Sequence, residues 1–231
     1  MSLSIIIPTY NEKENILFLI KSIKKKFKNK NFEIIIVDDN SPDKLFKYLK
    51  NKKFKKVRIY KNIYEKSLAK SILYGLKKSS KKNILLMDSD FTHDPKYLKQ
   101  FYNLISQHDY VVGSRFVPGG YMKNKFHFYC SKTFNIFAKI VLSTDINDNT
   151  SGFIMIKKKL FKLIPIEKIF YGYGDYFFRF LFYLNKETNN KKEIPVKYKN
   201  RFKGNSKTNF LKYLFIYLYE VIKTRIVFLF Y

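Results

Sequence analysis

The chain has 231 residues and a formal net charge of +28, from 46 Lys or Arg against 18 Asp or Glu. That length implies one large domain, or one domain with an appendage, able to bury a sizeable core from its 46% apolar residues. The single cysteine, Cys130, excludes an internal disulfide and a cysteine-based metal site, which fits a reducing compartment, and the apolar stretch Leu3 to Ile7 is too short for a signal peptide. Such charge ordinarily points to nucleic acid or an anionic membrane. Here only five of the basic residues are Arg, and Lys, Asn, Ile, Phe and Tyr are over-used together. That composition also fits lysine drift on a solvated surface in an A/T-biased genome.

In chain order, Leu3 to Ile7 reads as a strand, and Glu12 to Phe27 as a helix with Ile16, Leu19, Ile20 and Ile23 on one face. Phe32 to Val37 is a second strand, and Ser41-Pro42-Asp43 is a helix start signal. Val57 to Tyr60 predicts a third strand, Tyr64 to Lys78 a helix and Lys82 to Met87 a fourth strand. Asp94-Pro95 opens another helix, and Asp109 to Gly113 is a fifth strand. Repeated strand–helix–strand units of this length predict an α/β fold with a mostly parallel, Rossmann-like central sheet flanked by helices.

After Gly113 the rhythm changes. A Gly119-Gly120 turn leads into Phe126 to Leu142, an amphipathic aromatic helix, and Asn149 to Ile156 then predicts a strand returning to the sheet. Ile166 to Leu184 reads as a loop and helix, Glu193 to Tyr198 as a strand, and Asn200 to Lys207 as a basic loop. The segment Asn209 to Tyr231 is apolar but broken by Lys212, Glu220, Lys223 and Arg225. Its uncharged runs are too short to span a bilayer. An interfacial helix or a truncated membrane anchor fits it.

Two carboxylate pairs stand out because acids are scarce: Asp38-Asp39 and Asp88-Ser89-Asp90, each directly after a buried-strand run. Unpaired charge there is costly unless a cation or a hydrogen-bonding ligand arrives. In an open parallel sheet the carboxyl ends of the strands are where ligands bind. Two carboxylates around one small residue suit a hard cation, Mg²⁺ or Mn²⁺, that leaves room for diphosphate oxygens.

These pairs keep company with Pro8-Thr9-Tyr10-Asn11-Glu12, His93-Asp94-Pro95, Gly113-Ser114-Arg115-Phe116-Val117-Pro118-Gly119-Gly120, Thr150-Ser151-Gly152-Phe153 and Arg201-Phe202-Lys203-Gly204-Asn205-Ser206-Lys207. Over residues 3 to about 207 the set resembles the family 2 glycosyltransferases of GT-A fold, in their dolichol-phosphate mannosyltransferase and polyprenyl-phosphate branch. The resemblance implies a nucleotide-sugar-binding half, 1–115, an acceptor half with a basic loop, 116–207, and an apolar C-terminal helix, 208–231. It implies that Pro8, Tyr10, Glu12, Asp38 and Asp39 hold the nucleoside, and that Asp88 and Asp90 bind the metal with Thr92 as a weaker oxygen ligand. His93 is a softer candidate.

By the same resemblance, Arg115 binds an anion through its planar fork. His127, Ser131 and Lys132 on a membrane-facing helix hold the acceptor phosphate, and Arg201 and Lys207 close over the diphosphate. Two positions depart from the family pattern: His127 and Ile154 stand where relatives often carry Arg. Asp175, in Tyr171-Gly172-Tyr173-Gly174-Asp175, is the catalytic base if the acceptor is a hydroxyl, and only orients a basic side chain if the acceptor is a phosphate.

The implied activity is a metal-dependent, inverting transfer of a hexose, mannose from GDP-mannose, to a polyprenyl phosphate by a cytoplasmic enzyme peripheral on an anionic membrane. A family member acting on a polysaccharide or glycolipid hydroxyl is the first alternative. A basic membrane- or nucleic-acid-binding module is the second, and it is disfavoured because the aromatics fall at core spacing and the acidic cluster would repel phosphates.

Overall fold

The computed structural model describes residues 1–52, 54–198 and 210–229. The first half alternates as expected. It runs β1 Ser2–Thr9, α1 Lys13–Lys26, β2 Asn31–Asp38, α2 Leu45–Lys52, β3 Val57–Lys61, α3 Leu68–Lys78 and β4 Asn83–Leu86. A short turn of 3₁₀ helix, Pro95–Tyr97, then leads into α4 Leu98–Leu104 and β5 Tyr110–Ser114. Beyond it come β6 Tyr121–Met122, α5 Lys125–Leu142, β7 Ile154–Lys157, α6 Ile166–Ile169, α7 Tyr176–Glu187, β8 Lys191–Pro195, β9 Lys197–Tyr198 and α8 Phe210–Leu229.

Seven strands form one sheet in the order β3-β2-β1-β4-β7-β5-β8. All neighbours are parallel except at β7, which runs antiparallel to both β4 and β5. The two expected halves therefore share a single sheet, with β7 and β8 of the second half inserted beside strands of the first. Strand alternation sends Leu3, Ile5, Ile7, Ile34 and Ile36 to one face, against Ile16, Leu19 and Ile20 of α1. Ile6, Ile35 and Val37 go to the other face, against Ala69, Ile72 and Leu73 of α3 and Phe177 and Phe180 of α7. Gly75 lets α3 approach closely, since a Cβ there would meet Ile6 Cγ2 at 2.5 Å. A third cluster joins Phe134, Ala138 and Leu142 of α5 to Phe178 and Phe182 of α7 and Val221 of α8, and so seats the C-terminal helix on the domain.

Three expected elements differ, each with a local cause. The strand predicted over Asn149 to Ile156 shortens to β7, because Gly152 (φ +73°) breaks the extended run and Asn149 is bound to Asn135 Oδ1 and the Ile146 carbonyl. Glu193 to Tyr198 divides at Val196, and β9 pairs with β6 in a separate two-stranded sheet. The helix predicted from Tyr64 begins only at Leu68, where Ser67 caps it by accepting from Lys70 N. Residues 62–67 are instead held by Asn62, which accepts from Tyr64 N and donates to the Glu65 carbonyl.

Candidate active site

The carboxyl ends of β1, β2 and β4 converge on two adjoining clefts. At each exit one residue takes a left-handed conformation: Asn11 (φ 60°), Asn40 (φ 59°) and Phe91 (φ 67°). Asn tolerates that region, whereas a bulky aromatic there is strained and is held only by its surroundings. These turns aim the residues beside them across the strand ends.

The first cleft, about 440 Å³, is lined by Pro8, Tyr10, Glu12, Asp39 and the Asp88-Ser89-Asp90 run. Asp39 is buried, and its Oδ1 accepts from Asn62 Nδ2 at 2.7 Å and Ser67 N at 3.4 Å. Lys66, Ser67, Tyr173 and Tyr213 also line the cleft. The Lys66 ammonium lies 3.6 Å from the centroid of the Tyr10 ring, a cation–π contact at the cleft mouth. None of these four was read from the sequence, nor was Asn62.

Asp38 requires a correction. It was expected beside Asp39 on the nucleoside, but it is not among the residues that line the cleft, and it accepts a hydrogen bond from Ser41 Oγ. Burial pushes its carboxyl above the usual range, and the Ser41 bonds only partly offset this. β2 ends at Asp38, and the chain leaving it carries Asp39 into the cleft wall. The Ser41-Pro42-Asp43 signal caps two helices, with Asp43 accepting from Lys13 N and Leu45 N, each at 3.0 Å.

Asp88 and Asp90 line both clefts. The Asp88 side chain is 45% exposed. Asp90 is buried, with Oδ1 accepting from Thr92 N at 3.0 Å and Thr92 Oγ1 at 2.6 Å. Thr92, expected as a metal ligand, therefore has its hydroxyl proton committed to orienting Asp90. His93, the softer candidate, is fully buried with both ring nitrogens engaged. Nδ1 accepts from Asp88 N at 2.8 Å, so the neutral ring carries its proton on Nε2, a tautomer assigned from this network. Nε2 lies 2.5 Å from Tyr198 Oη and 3.0 Å from the Ser151 carbonyl. The ring stacks on Phe153 at 4.6 Å. His93 is a strut that ties the Asp88 turn to the loop before β7.

Asp88 and Asp90 offer hard carboxylate oxygens, and among the described residues no group of three or more His, Cys, Asp or Glu comes together as a metal cage. A cation here would take two protein carboxylates and fill its remaining positions with ligand oxygens and water. That donor set suits Mg²⁺ or Mn²⁺ shared with a diphosphate.

The second cleft, about 360 Å³, opens between the end of β5, α5 and α8, and is lined by Arg115, His127, Ser131, Phe134, Tyr213 and Tyr217. Arg115 does not present a free fork. Its Nε and Nη2 each bond the Asp148 carboxylate at 2.8 Å, its backbone N bonds Asp148 at 2.8 Å, and Nη2 also reaches Thr150 Oγ1 at 2.8 Å. Asp148 is fully buried and is braced through its own N by Glu193. Arg115, expected to bind an anion, thus lines the cleft with Nη1 toward Met122 Sδ at 4.0 Å, while Nε and Nη2 fix the 148–150 loop against β5. Lys132 also departs from expectation. It is exposed and off the cleft wall, because one residue is about 100° of helix away from Ser131.

Asp175 is buried and bonded to Arg179 Nη1 at 2.6 Å and Tyr173 N at 2.7 Å. Asp175 was expected as the base for a hydroxyl acceptor or as the orienter of a basic side chain for a phosphate; here it is bonded to such a side chain and shapes its own loop. Arg201 and Lys207 lie outside the described residues. A larger hollow, about 880 Å³, sits at the amino ends of β1 and β4, beside Met1, Leu76, Ile105 and Phe161. None of its lining residues is a carboxylate, so the chemistry belongs at the opposite edge.

Residues 4–164 match Glycosyl transferase family 2. Among curated proteins, the chain is 33% identical to a dolichol-phosphate mannosyltransferase of Pyrococcus furiosus over 176 residues, covering 73% of this chain and 50% of that protein. It is 27% identical to the polyprenol monophosphomannose synthase of Mycolicibacterium smegmatis, covering 71% of this chain and 65% of that protein. With a dolichol-phosphate mannosyltransferase of Saccharomyces cerevisiae the identity is 28%, covering 68% and 61%. The chain thus spans half to just under two thirds of these relatives' length. Among solved structures, the fold matches glucosyl-3-phosphoglycerate synthase from Mycobacterium tuberculosis in complex with Mn²⁺ and UDP-glucose. The TM-score is 0.73 at 14% identity, covering 96% of this chain and 79% of that one.

Proposed function

The chain belongs to glycosyl transferase family 2, and from that premise we propose that it transfers a hexose, mannose from GDP-mannose, to a polyprenyl phosphate at the cytoplasmic face of a membrane. The observation that carries this reading is the pair of clefts sharing Asp88 and Asp90 as a common lip. One cleft has the polar wall of a nucleoside site. The other runs out between α5 and α8.

Those two helices expose Phe126, Tyr129, Ile136 and Ile140 on one and Phe215, Tyr219, Ile222 and Ile226 on the other. Among the described residues no helix is long and apolar enough to cross a membrane. An apolar face of this kind suits helices lying in the interfacial plane, with surface lysines facing anionic headgroups. The names of the relatives support both a prenyl-phosphate acceptor and mannose as the sugar. The Mn²⁺ in the fold neighbour's complex supports a divalent ion.

A phosphomonoester has a second pKa near 6, so its oxygen is already anionic at neutral pH and requires no base. That accords with a site in which Asp175 is held by Arg179. Direct attack of this oxygen on the anomeric carbon inverts its configuration and turns an α-linked donor into a β-linked product. A bound divalent cation would neutralise the departing nucleoside diphosphate. Asp88 and Asp90 would hold that ion, Thr92 would fix the Asp90 carboxylate and His93 the turn that carries Asp88, and Asp39 would meet the nucleoside.

The test is a donor and acceptor screen with Mn²⁺ and with Mg²⁺. Incorporation of label from GDP-mannose into an acid-labile dolichyl phosphate product, abolished in Asp90→Asn, is the expected result. Transfer only to hydroxyl acceptors, or unchanged turnover in Asp90→Asn, would overturn the assignment.

A further inference from the structure

One buried charged cluster is not used by the proposed chemistry. Arg179, on α7 and 2% exposed, is ringed by acceptors from two directions. Within its own neighbourhood, Nε donates to the Ile169 carbonyl at 3.1 Å, Nη2 to the Tyr171 carbonyl at 2.5 Å, and Nη1 to Asp175 Oδ2 at 2.6 Å. Across the interface, Nη1 also reaches Glu220 Oε2 on α8 at 3.0 Å. The Tyr171 ring lies 3.6 Å from the guanidinium carbon, and its hydroxyl donates to the same Glu220 oxygen at 2.5 Å.

The loop wrapped around Arg179 also walls both clefts. Asp175 Oδ1 holds Tyr173 N, and Tyr173 lines the two clefts where they meet. Ser67, at the first cleft, donates to the Gly172 carbonyl at 2.5 Å. Gly172 (φ +74°) is confined to glycine twice over, since a Cβ would also run into the Asp175 carboxylate. Tyr213 of α8 packs on Tyr173 at 4.7 Å between ring centroids. A buried arginine between two buried carboxylates from different elements is costly unless its geometry is kept, so the three groups move as a unit.

We infer that Arg179 is a positioning residue which, through Glu220 and Asp175, couples the seating of α8 to the placement of Tyr173 across the donor and acceptor clefts. The inference rests on reading the clefts as those two sites, and it makes α8 part of the active site's scaffold. Coupling between sites is reciprocal, so a ligand that orders the 171–175 loop must also order α8.

The experiment is hydrogen–deuterium exchange on the full chain, with and without GDP or UDP plus Mn²⁺. In the wild type, nucleotide should slow exchange across residues 219–226 of α8, which lie beyond the cleft wall. Glu220→Gln keeps the side chain's shape and its acceptor for Tyr171 but removes the charge facing Arg179. It should still bind nucleotide while losing that distant protection. Arg179→Lys, which cannot serve all four acceptors, should speed exchange in 171–175 and in 219–226 together by about tenfold, as losing a charge-assisted hydrogen bond implies, with strands β1 and β4 unchanged.

Equal nucleotide-linked protection in Glu220→Gln and wild type would overturn the coupling, as would a loop that loosens in Arg179→Lys with α8 unaffected. If neither nucleotide binds, the donor-site reading fails. The unliganded comparison of Arg179→Lys with wild type still decides the coupling. If Arg179→Lys does not fold, the Glu220→Gln comparison decides it.

Discussion

Replacing Asp148 with Asn tests whether Arg115 is structural. The Asp148 carboxylate is fully buried and accepts three bonds of 2.8 Å from Arg115, and the Arg115 side chain is only 7% exposed. An amide at this position turns one acceptor into a donor facing a donor and leaves the guanidinium without its counter-charge. Breaking a buried pair in this way costs about 3–5 kcal/mol. In a chain of this size each kcal/mol moves Tm by about 2–4 °C, so Asp148→Asn should melt about 6–20 °C below wild type. Arg115→Met should fall comparably, because it strands the carboxylate. The double variant Arg115→Met/Asp148→Leu should recover most of the loss, since both charges leave together. Thermal unfolding by circular dichroism, paired with nucleotide titration, reads all three. If Asp148→Asn lowers Tm by less than about 2 °C, or Arg115→Met keeps wild-type stability yet loses phosphate binding, the reasoning fails and Arg115 is a ligand fork.

Asp38 and Glu33 should respond to pH with opposite signs in one melting series. Burial raises the Asp38 pKa, so its ionised form weakens the fold. Asp38→Asn should therefore raise Tm by a few degrees above neutral pH, a gain that vanishes as pH falls below the ordinary value of 3.8. For Glu33 burial acts upward, but Ser4, Ser80 and Arg58 outweigh it and hold the pKa low. Glu33→Gln should therefore cost stability above the ordinary value of 4.5, the deficit closing as pH falls through the depressed folded pKa. A pH-independent Tm difference in either variant would contradict its assignment. Tyr198→Phe leaves His93 Nε2 and the Ser151 carbonyl without their hydroxyl partner. It should cost about 1–3 kcal/mol in urea unfolding. A loss under about 0.5 kcal/mol would show the strut is dispensable. Phe126→Ser with Ile140→Ser removes two side chains that are 67% and 71% exposed. The pair should weaken sedimentation with anionic vesicles while leaving nucleotide affinity unchanged. Undiminished sedimentation would remove α5 from the membrane-facing surface.

Much of the first half was legible because its signals are local. Ile34-Ile35-Ile36-Val37 and Ile84-Leu85-Leu86-Met87 could only be strands buried on both faces, and carboxylates placed after them could only sit at strand ends. A signal for Asp148 existed as well. In a chain with 18 acids, an Asp in a polar run just before Thr150-Ser151-Gly152 is a candidate partner for a scarce arginine. Lys66, Tyr173, Tyr213 and Asn62 carried no such mark. The first three reach the clefts from a loop before α3, a loop before α7 and the C-terminal helix, Asn62 reaches Asp39 from just past the end of β3, and only the packing of those elements brings them together.

The direction of β7 was the least legible feature, and it has the largest consequence for the site. Nothing in Ile154–Lys157 states its polarity, because a four-residue strand with its first three residues buried reads the same either way. Its antiparallel pairing sets Ile154 beside Leu86 of β4 and Val112 of β5. The residues before β7 therefore arrive at the same edge as the carboxyl ends of those strands. That is how Asp148 and Thr150 meet Arg115, and how the Ser151 carbonyl meets His93, which in turn holds the Asp88 turn. A parallel β7 would deliver the same loop to the opposite edge, about 13 Å away for its four residues. Arg115 would then lose Asp148 and Thr150, and His93 would lose the Ser151 carbonyl. The one strand that departs from the parallel pattern thus closes the site: the turn that carries Asp88 is braced by His93, and His93 is anchored in turn by the Ser151 carbonyl just before β7.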